Sequence, residues 1–219
     1  MTDLLGRSLN QYERKYAPDK IYVKGVIQLP IPSPRVSMVG SRKASNNGLE
    51  ATKEIAKSLV KEKVIIVSGL AEGIDTAAHE SAIDNGGKTI AVIGTPLDKS
   101  YPQKNRYLQQ IIMQYHLVIS QFPVGYPIQK GNFVIRNRTM ALISDATIIV
   151  EAGESSGSLH QGWEAIRLNP SLFIWKSIVE DDSLKWPKQM MRYGAIPLYS
   201  PNDILHSLPS DQQMSNLIE

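Results

Sequence analysis

The sequence predicts an α/β protein built on a mostly parallel sheet with helices on both faces. Three observations carry that reading. Short apolar runs alternate with segments of helical periodicity. The runs are continuously apolar, as expected of strands buried on both faces. Most of them end in glycine or serine, where the chain turns from strand to helix.

Taken in order, residues 1–34 read as a lead-in segment. Ile21 to Gly25 is expected as a short strand, after which Pro30, Pro32 and Pro34 break any regular element and mark a boundary. Residues 35–206 form the core domain. Val36 to Val39 is its first strand, ending at Gly40-Ser41-Arg42. Ser45 caps the next helix, in which Ile55, Leu59 and Val60 have helical spacing. Val64 to Val67 is a β-branched run ending at Ser68-Gly69. Asp75 is the expected N-cap of a second helix, with Ala78 and Ala82 four apart. Thr89 to Ile93 is a strand ending at Gly94. Leu108, Ile111, Ile112 and Tyr115 mark a third helix by their i, i+3, i+4, i+7 spacing. Leu117 to Ser120, Ala146 to Val150 and Leu172 to Trp175 read as strands, and Ala195 to Leu198 as a weaker one. A short helix is expected from Asn202 or Asp203, and residues 207–219 are left as a tail.

A chain of 219 residues suits one large domain better than two. Hydrophobic residues make up 42% and charged residues 21%, ordinary for a globular protein. There is no cysteine, hence no disulfide framework and no thiolate metal site. The N-terminus has no signal-peptide run, and no stretch approaches the ~20 apolar residues of a membrane span, so a cytoplasmic protein with no membrane partner is expected. Net charge is +3 and the pI about 9.0, compatible with a polyanionic partner.

In such a sheet, ligands bind beyond the carboxyl ends of the strands, where strand order reverses. The residues standing there are Gly40-Ser41-Arg42, then Ser68 and Gly69 through Gly73 to Asp75, then Gly94 to Asp98, then Glu151-Ala152-Gly153 with Ser155 and Ser156-Gly157-Ser158. One glycine after a strand is ordinary turn chemistry. Four such loops together, with serine hydroxyls and the Arg42 guanidinium among them, point to an anion pocket. The pattern is neither G-x-G-x-x-G nor the P-loop, so no dinucleotide, ATP or other cofactor is expected.

A second constellation runs from Lys130 through Phe133, Arg136, Asn137 and Arg138 to Met140. On a helix, successive residues are rotated by about 100°, so Arg136 and Arg138 cannot face the same phosphate. One is expected on the ligand and the other on an acid such as Asp145 or Glu151. Lys130, on an expected loop, reaches a backbone phosphate. Phe133 and Tyr101 are the stacking candidates. Trp163, Trp175 and Trp186 are expected in the core or an interface. His79 is expected packed behind the Asp75 loop, and His160 near the pocket without an assigned role. No metal site is expected.

These residues resemble a known family. VSMVGSRKAS (36–45), VSGLAEGIDTAAHESAIDNGGKTIAVIGTPLD (67–98), YPQKN (101–105), FVIRNRTMALIS (133–144) and VEAGESSGSL (150–159) are similar to the successive signatures of the DprA/Smf DNA-processing proteins. The likeness extends to KIYVKG (20–25) and YGAIPLYSPNDIL (193–205), and GLAEGIDTAAH is its most specific block. It implies an extended Rossmann-like fold, a homodimer and single-stranded DNA held in a basic pocket. It also implies a part in loading a recombinase during natural transformation, with no catalysis. The family's DNA contacts carry over onto Arg42 and the region of Lys130 and Arg136. The chain departs from the pattern by lacking the helical N-terminal and winged-helix C-terminal domains of many members. It also has His160-Gln161-Gly162-Trp163-Glu164 where Thr-Ala is usual, and Lys176-Ser177 where Pro-Gly is usual. These departures leave room for a role in a mobile element or a defence system.

Two alternatives use the same pocket. A phosphoribohydrolase of the LOG type cleaves nucleoside monophosphates, and Arg136, Met140, Asp145 and Glu164 fall in a similar order here. Its P-G-G-x-G-T-x-x-E signature is replaced by EAGESSGSLHQGWE. A non-catalytic nucleotide sensor is the other.

Overall fold

The structure, a computed structural model, describes residues 1–168 and 170–209. Two short helices, α1 (Thr2–Leu5) and α2 (Gln11–Tyr16), precede an edge strand, β1 (Tyr22–Gly25). An alternation follows: β2 (Arg35–Gly40), α3 (Asn46–Lys61), β3 (Ile65–Ser68), α4 (Ile74–Asp84), β4 (Thr89–Ile93), α5 (Arg106–Tyr115), β5 (Leu117–Ser120), α6 (Lys130–Ile143), β6 (Ala146–Glu151), α7 (Ser158–Leu168) and β7 (Ser171–Trp175). Then come α8 (Lys176–Val179), α9 (Trp186–Arg192), β8 (Ile196–Leu198) and a 3-10 segment, Pro201–Ser207.

Local chemistry explains several boundaries. The Ser45 hydroxyl accepts from the Gly48 amide at 3.0 Å and starts α3. Asn10 and Glu13 form a reciprocal capping box on α2. Helix α4 starts after Gly73, whose φ of 76° few other residues tolerate, so Asp75 is not its N-cap. The carboxylate of Asp75 turns back onto the preceding loop instead. The final helix expected from Asn202 is the 3-10 segment. Helices α1, α2, α8 and α9 were not expected. Helix α6 is longer than the Phe133–Met140 segment and includes Lys130 as its first residue.

The eight strands of the described residues form one sheet in the order β1-β5-β4-β3-β2-β6-β7-β8. Every pairing is parallel except β1 with β5. The α/β class with a mostly parallel sheet is therefore as the sequence predicts. Val36 and Met38 point toward α3 and α4, where they pack with Ile55, Leu59, Ile74 and Ala78. Val39 and Val67 point to the other face, against Met140 and Ile143 of α6 and Ala165 of α7. Leu4, Leu5, Leu9, Ile27 and Ile31 belong to that same second cluster. The lead-in segment thus shares the core of residues 35–206 across the expected boundary at Pro34. The expected tail is described only at 207–209; its remainder, 210–219, lies outside the described residues.

The chain runs from β2 outward through β3, β4 and β5 on one side. It then returns through α6 to place β6 on the other side of β2. Strand order reverses between β2 and β6, and that fixes where a crevice opens.

Candidate functional site

A cleft of about 690 Å3 opens at that reversal. The loop after β2 contributes Gly40, Ser41, Arg42 and Lys43. The loop after β6 and the start of α7 contribute Gly153, Ser155, Ser156, Gly157, Ser158, His160 and Gln161. Helix α6 supplies Lys130, Phe133, Arg136 and Asn137, and the loop after β3 supplies Ala71 and Asp75. A groove of similar volume between α3 and α4 mixes Glu50, Glu54, Glu80 and Asp84 with Lys53, Lys57 and Lys176, so it has no preference for anions.

Several backbone positions allow nothing larger than glycine. A Cβ on Gly40 would lie 2.7 Å from the Glu151 carbonyl oxygen, because β2 and β6 converge there. A Cβ on Gly69 would meet the Arg136 guanidinium, and one on Gly94 would come within 2.7 Å of the Phe133 ring. Gly153 and Gly157 face open space. The first three glycines bring the walls together; the last two leave backbone open to a ligand.

Arg42, Lys43 and Lys130 are exposed. Among the described residues none of the three has a carboxylate within 4 Å. The Ser41 hydroxyl accepts from the Lys43 amide at 3.1 Å, which folds the loop so that both cations lead outward. Ser156 and Ser158 exchange a hydroxyl hydrogen bond at 2.7 Å at the start of α7. A helix start of this kind offers free amides and the positive end of the dipole to an anion.

Arg136 is 5% exposed and lines the cleft floor. Its Nη1 donates to the Val92 carbonyl at 2.7 Å, which ties α6 to β4. Asp75 is its electrostatic counterpart, and its carboxylate accepts from the amides of Gly69 at 3.1 Å and Ala71 at 3.3 Å. Burial raises the Asp75 carboxyl above the usual carboxylate range, against the lowering effect of the Arg136 charge and these amides. Burial likewise lowers the Arg136 guanidinium, and Asp75 opposes that shift. The loop they hold is strained: Leu70 has φ 58°, a left-handed conformation that is rare outside glycine. Its fully buried side chain and the Asn105 amide, which donates to the Leu70 carbonyl at 3.0 Å, keep it there.

The cleft brings together Gly40, Ser41, Arg42, Lys130, Phe133, Arg136, Asn137, Ser156, Gly157 and Ser158. It does not include every residue singled out in the sequence. The Ser68 hydroxyl is fully buried and donates to the Met38 carbonyl. Gly73 packs under the Ser41 carbonyl, and Gly69 lies behind the cleft against Arg136. Arg138 faces away: its Nε pairs with Glu164 at 3.3 Å, and its guanidinium lies 4.8 Å from the Tyr16 ring centroid. The acid that pairs with it is therefore neither Asp145, which holds Arg35 at 3.0 Å, nor Glu151, which accepts from Ser45. Glu164 also pairs with Arg167 at 2.9 Å and does not line the cleft. Trp163, Trp175 and Trp186 are partly or fully buried, and the Trp186 indole donates to the Ala152 carbonyl under the β6 loop. The sequence reading overlooked Lys43, although it adjoins Arg42, and gave Asp75 a capping role in place of its loop-holding one. Among the described residues no cluster of three His, Asp or Glu side chains is arranged to hold a metal. No described helix is long and apolar enough to cross a membrane.

The family model of DNA recombination-mediator protein A matches residues 7–209. The DNA processing protein DprA of Streptococcus pneumoniae is 39% identical over 189 residues, covering 86% of this chain and 66% of that protein. Its crystal structure superposes with a TM-score of 0.79 at 37% identity, over 89% of this chain and 68% of that one. A structure describing the single-stranded DNA binding mode of DNA processing protein A from Helicobacter pylori superposes with a TM-score of 0.78 at 26% identity. It covers 92% of this chain and 93% of that one. The chain spans between 44% and 66% of the length of the curated relatives it matches. With the family model matched over residues 7–209 and a relative 39% identical over 86% of the chain, the chain belongs to the DNA recombination-mediator protein A (DprA/Smf) family.

Proposed function

We propose that the cleft holds the sugar–phosphate backbone of single-stranded DNA, and that the protein acts in DNA processing as a binding protein rather than an enzyme. The observation that carries this reading is the convergence of three exposed cations without carboxylate partners, Arg42, Lys43 and Lys130, on the start of α7 at the β2/β6 reversal. Their donors suit phosphate oxygens, and phosphate contacts carry no base sequence. The single-stranded DNA binding mode described for the Helicobacter pylori relative supports the choice of polymer. The engagement of Glu164 by Arg138 and Arg167, outside the cleft, speaks against the phosphoribohydrolase alternative, which needs a free carboxylate at the pocket.

The family likeness supports three further parts of the proposal: delivery of the strand to a recombinase, pairing with a second copy of the chain, and a cytoplasmic role in DNA uptake and recombination. Light scattering on the purified protein tests the second. Recombinase assembly on single strands, with and without the protein, tests the first.

The central test is fluorescence anisotropy with labelled single-stranded oligonucleotides across a salt series. Affinity is expected to fall steeply with salt, by a log–log slope of about −0.7 per phosphate contacted. Arg42→Ala should weaken binding to all sequences alike and reduce that slope. Absence of oligonucleotide binding by the wild type at low salt would overturn the proposal.

A further inference from the structure

Arg42 and Lys43 sit on a short arc, Ser41 to Ser45, between β2 and α3, and one residue at the end of β6 holds both ends of it. Upstream, the Ser41 amide donates to the Glu151 carbonyl at 2.7 Å. Downstream, the Ser45 amide donates to the two oxygens of the Glu151 carboxylate at 3.0 and 3.2 Å, and the Ser45 hydroxyl donates to Oε2. The same hydroxyl caps α3, so helix and arc are pinned at one point.

The reach of Glu151 follows from the strand register. β2 and β6 pair residue for residue from Val36 with Ala146 to Val39 with Ile149, after which Gly40 pairs with Glu151. Passing over Val150 makes a bulge, which re-aims the side chain that follows it. Two glycines leave the room: a Cβ on Gly40 would meet the Glu151 carbonyl oxygen, and one on Gly48 would run into the Glu151 carboxylate.

Glu151 is half-buried and does not line the cleft. Among the described residues no Lys, Arg or His lies within 4 Å of its carboxylate, which accepts from Ser45 alone. A negative charge beside a polyanion site lowers affinity through its field. Any gain that Glu151 brings to DNA binding therefore comes through geometry. Holding a cation-bearing loop in place beforehand lowers the entropy lost when the ligand arrives.

We propose that Glu151 is a positioning residue for DNA binding. It acts through Arg42 and Lys43 by fixing the arc that carries them, and it does not touch the strand. This rests on the cleft being a single-stranded DNA site, and it adds the device that holds the cationic lip of that site ready.

The test is oligo-dT binding by fluorescence anisotropy across a salt series, with substitutions that separate charge from geometry. Glu151→Ala removes both. It is expected to weaken binding about 5-fold, the scale of one loosened hydrogen bond to a charged group, and to flatten the salt slope toward that of Arg42→Ala. The field alone would do the reverse, since losing a negative charge tightens the hold on a polyanion. Gly48→Ala keeps the charge and pushes the carboxylate off Ser45, so it should reproduce both changes. Alanine is a better helix former than glycine, so the exchange does not itself weaken α3. At low salt, in a chain carrying Arg42→Ala and Lys43→Ala, adding Glu151→Ala should cause no further loss. A merely structural defect would lower affinity through the folded fraction and leave the slope as in the wild type. The proposal is overturned if either Glu151→Ala or Gly48→Ala binds as tightly as wild type, or weakens binding at an unchanged slope. It is equally overturned if the loss persists in the chain without Arg42 and Lys43. In those cases the phosphate reading stands. If the wild type binds no strand at low salt, both readings fall together.

Discussion

Arg136 and Asp75 show how single residues shape the cleft. Asp75 is the one carboxylate among the described residues that line it, and it holds two loop amides as well as balancing a buried cation. Asp75→Asn keeps the shape but removes the charge, leaving Arg136 uncompensated. Stability should fall by about 2 kcal/mol in denaturant unfolding, with the slope against denaturant unchanged. His79 behaves differently. Its Nδ1 donates at 2.7 Å to the Thr89 hydroxyl, which itself donates to the Ile66 carbonyl at 2.9 Å. Burial lowers its pKa from 6.5 to about 3. The unfolded chain therefore binds a proton that the folded one refuses, so stability rises with pH across that interval. On acidification below pH 6.5 it should drop by up to ~1.4 kcal/mol per pH unit until about pH 3. His79→Gln should flatten this dependence in unfolding curves measured at successive pH values. The sequence placed His79 correctly behind the Asp75 loop because a histidine one turn into a buried helix has little choice. It misjudged Asp75 because an Asp before an apolar helical pattern is a common N-cap, and only the fold shows the chain turning back.

At the scale of elements, α6 divides its two arginines between two tasks. Arg136 enters the cleft floor, while Arg138 lies over Tyr16 of α2, with Arg167 of α7 at 5.7 Å from the same ring and Glu164 between the two cations. The divergence of the two side chains follows from helical rotation and was legible in the sequence; the partner of Arg138 was not, because α2 and α7 are distant in sequence. Tyr16→Ala should free the N-terminal helices from this clamp. Hydrogen exchange should rise across residues 1–20 and stay unchanged in α6 and β6. Arg138→Ala should have the same effect on exchange and leave the salt slope of DNA binding as it is. The core strands were legible because continuous β-branched runs leave few alternatives. Helices α1, α2, α8 and α9 were not, since segments of four to seven residues carry too few turns to show a period.

For the whole molecule, the sheet order matters more than any one element. The sequence marks a boundary at the three prolines that close the lead-in segment, and that segment supplies both an edge strand and part of the core. Prolines mark where a chain turns, not where packing ends. Removing residues 1–25 should expose the β5 edge and the surface under Leu4, Leu5 and Leu9. A fall in Tm of roughly 10 °C or more is expected in thermal unfolding, with aggregation seen by light scattering.

The reversal of strand order between β2 and β6 also bears on how the protein is made. Arg35 and Asp145, which join these strands at their lower ends, are 110 positions apart in the chain. The two walls of the cleft therefore meet only after β3, β4, β5 and α6 have been laid down between them. Closure of so long a loop is slow, and no fragment ending before β6 has a site to offer. A strand that binds the finished cleft is then a ligand of the completed chain alone. At a hundredfold excess over Kd it should add about 2.7 kcal/mol to global stability. Occupancy would thus be readable as resistance to proteolysis in segments far from the cleft.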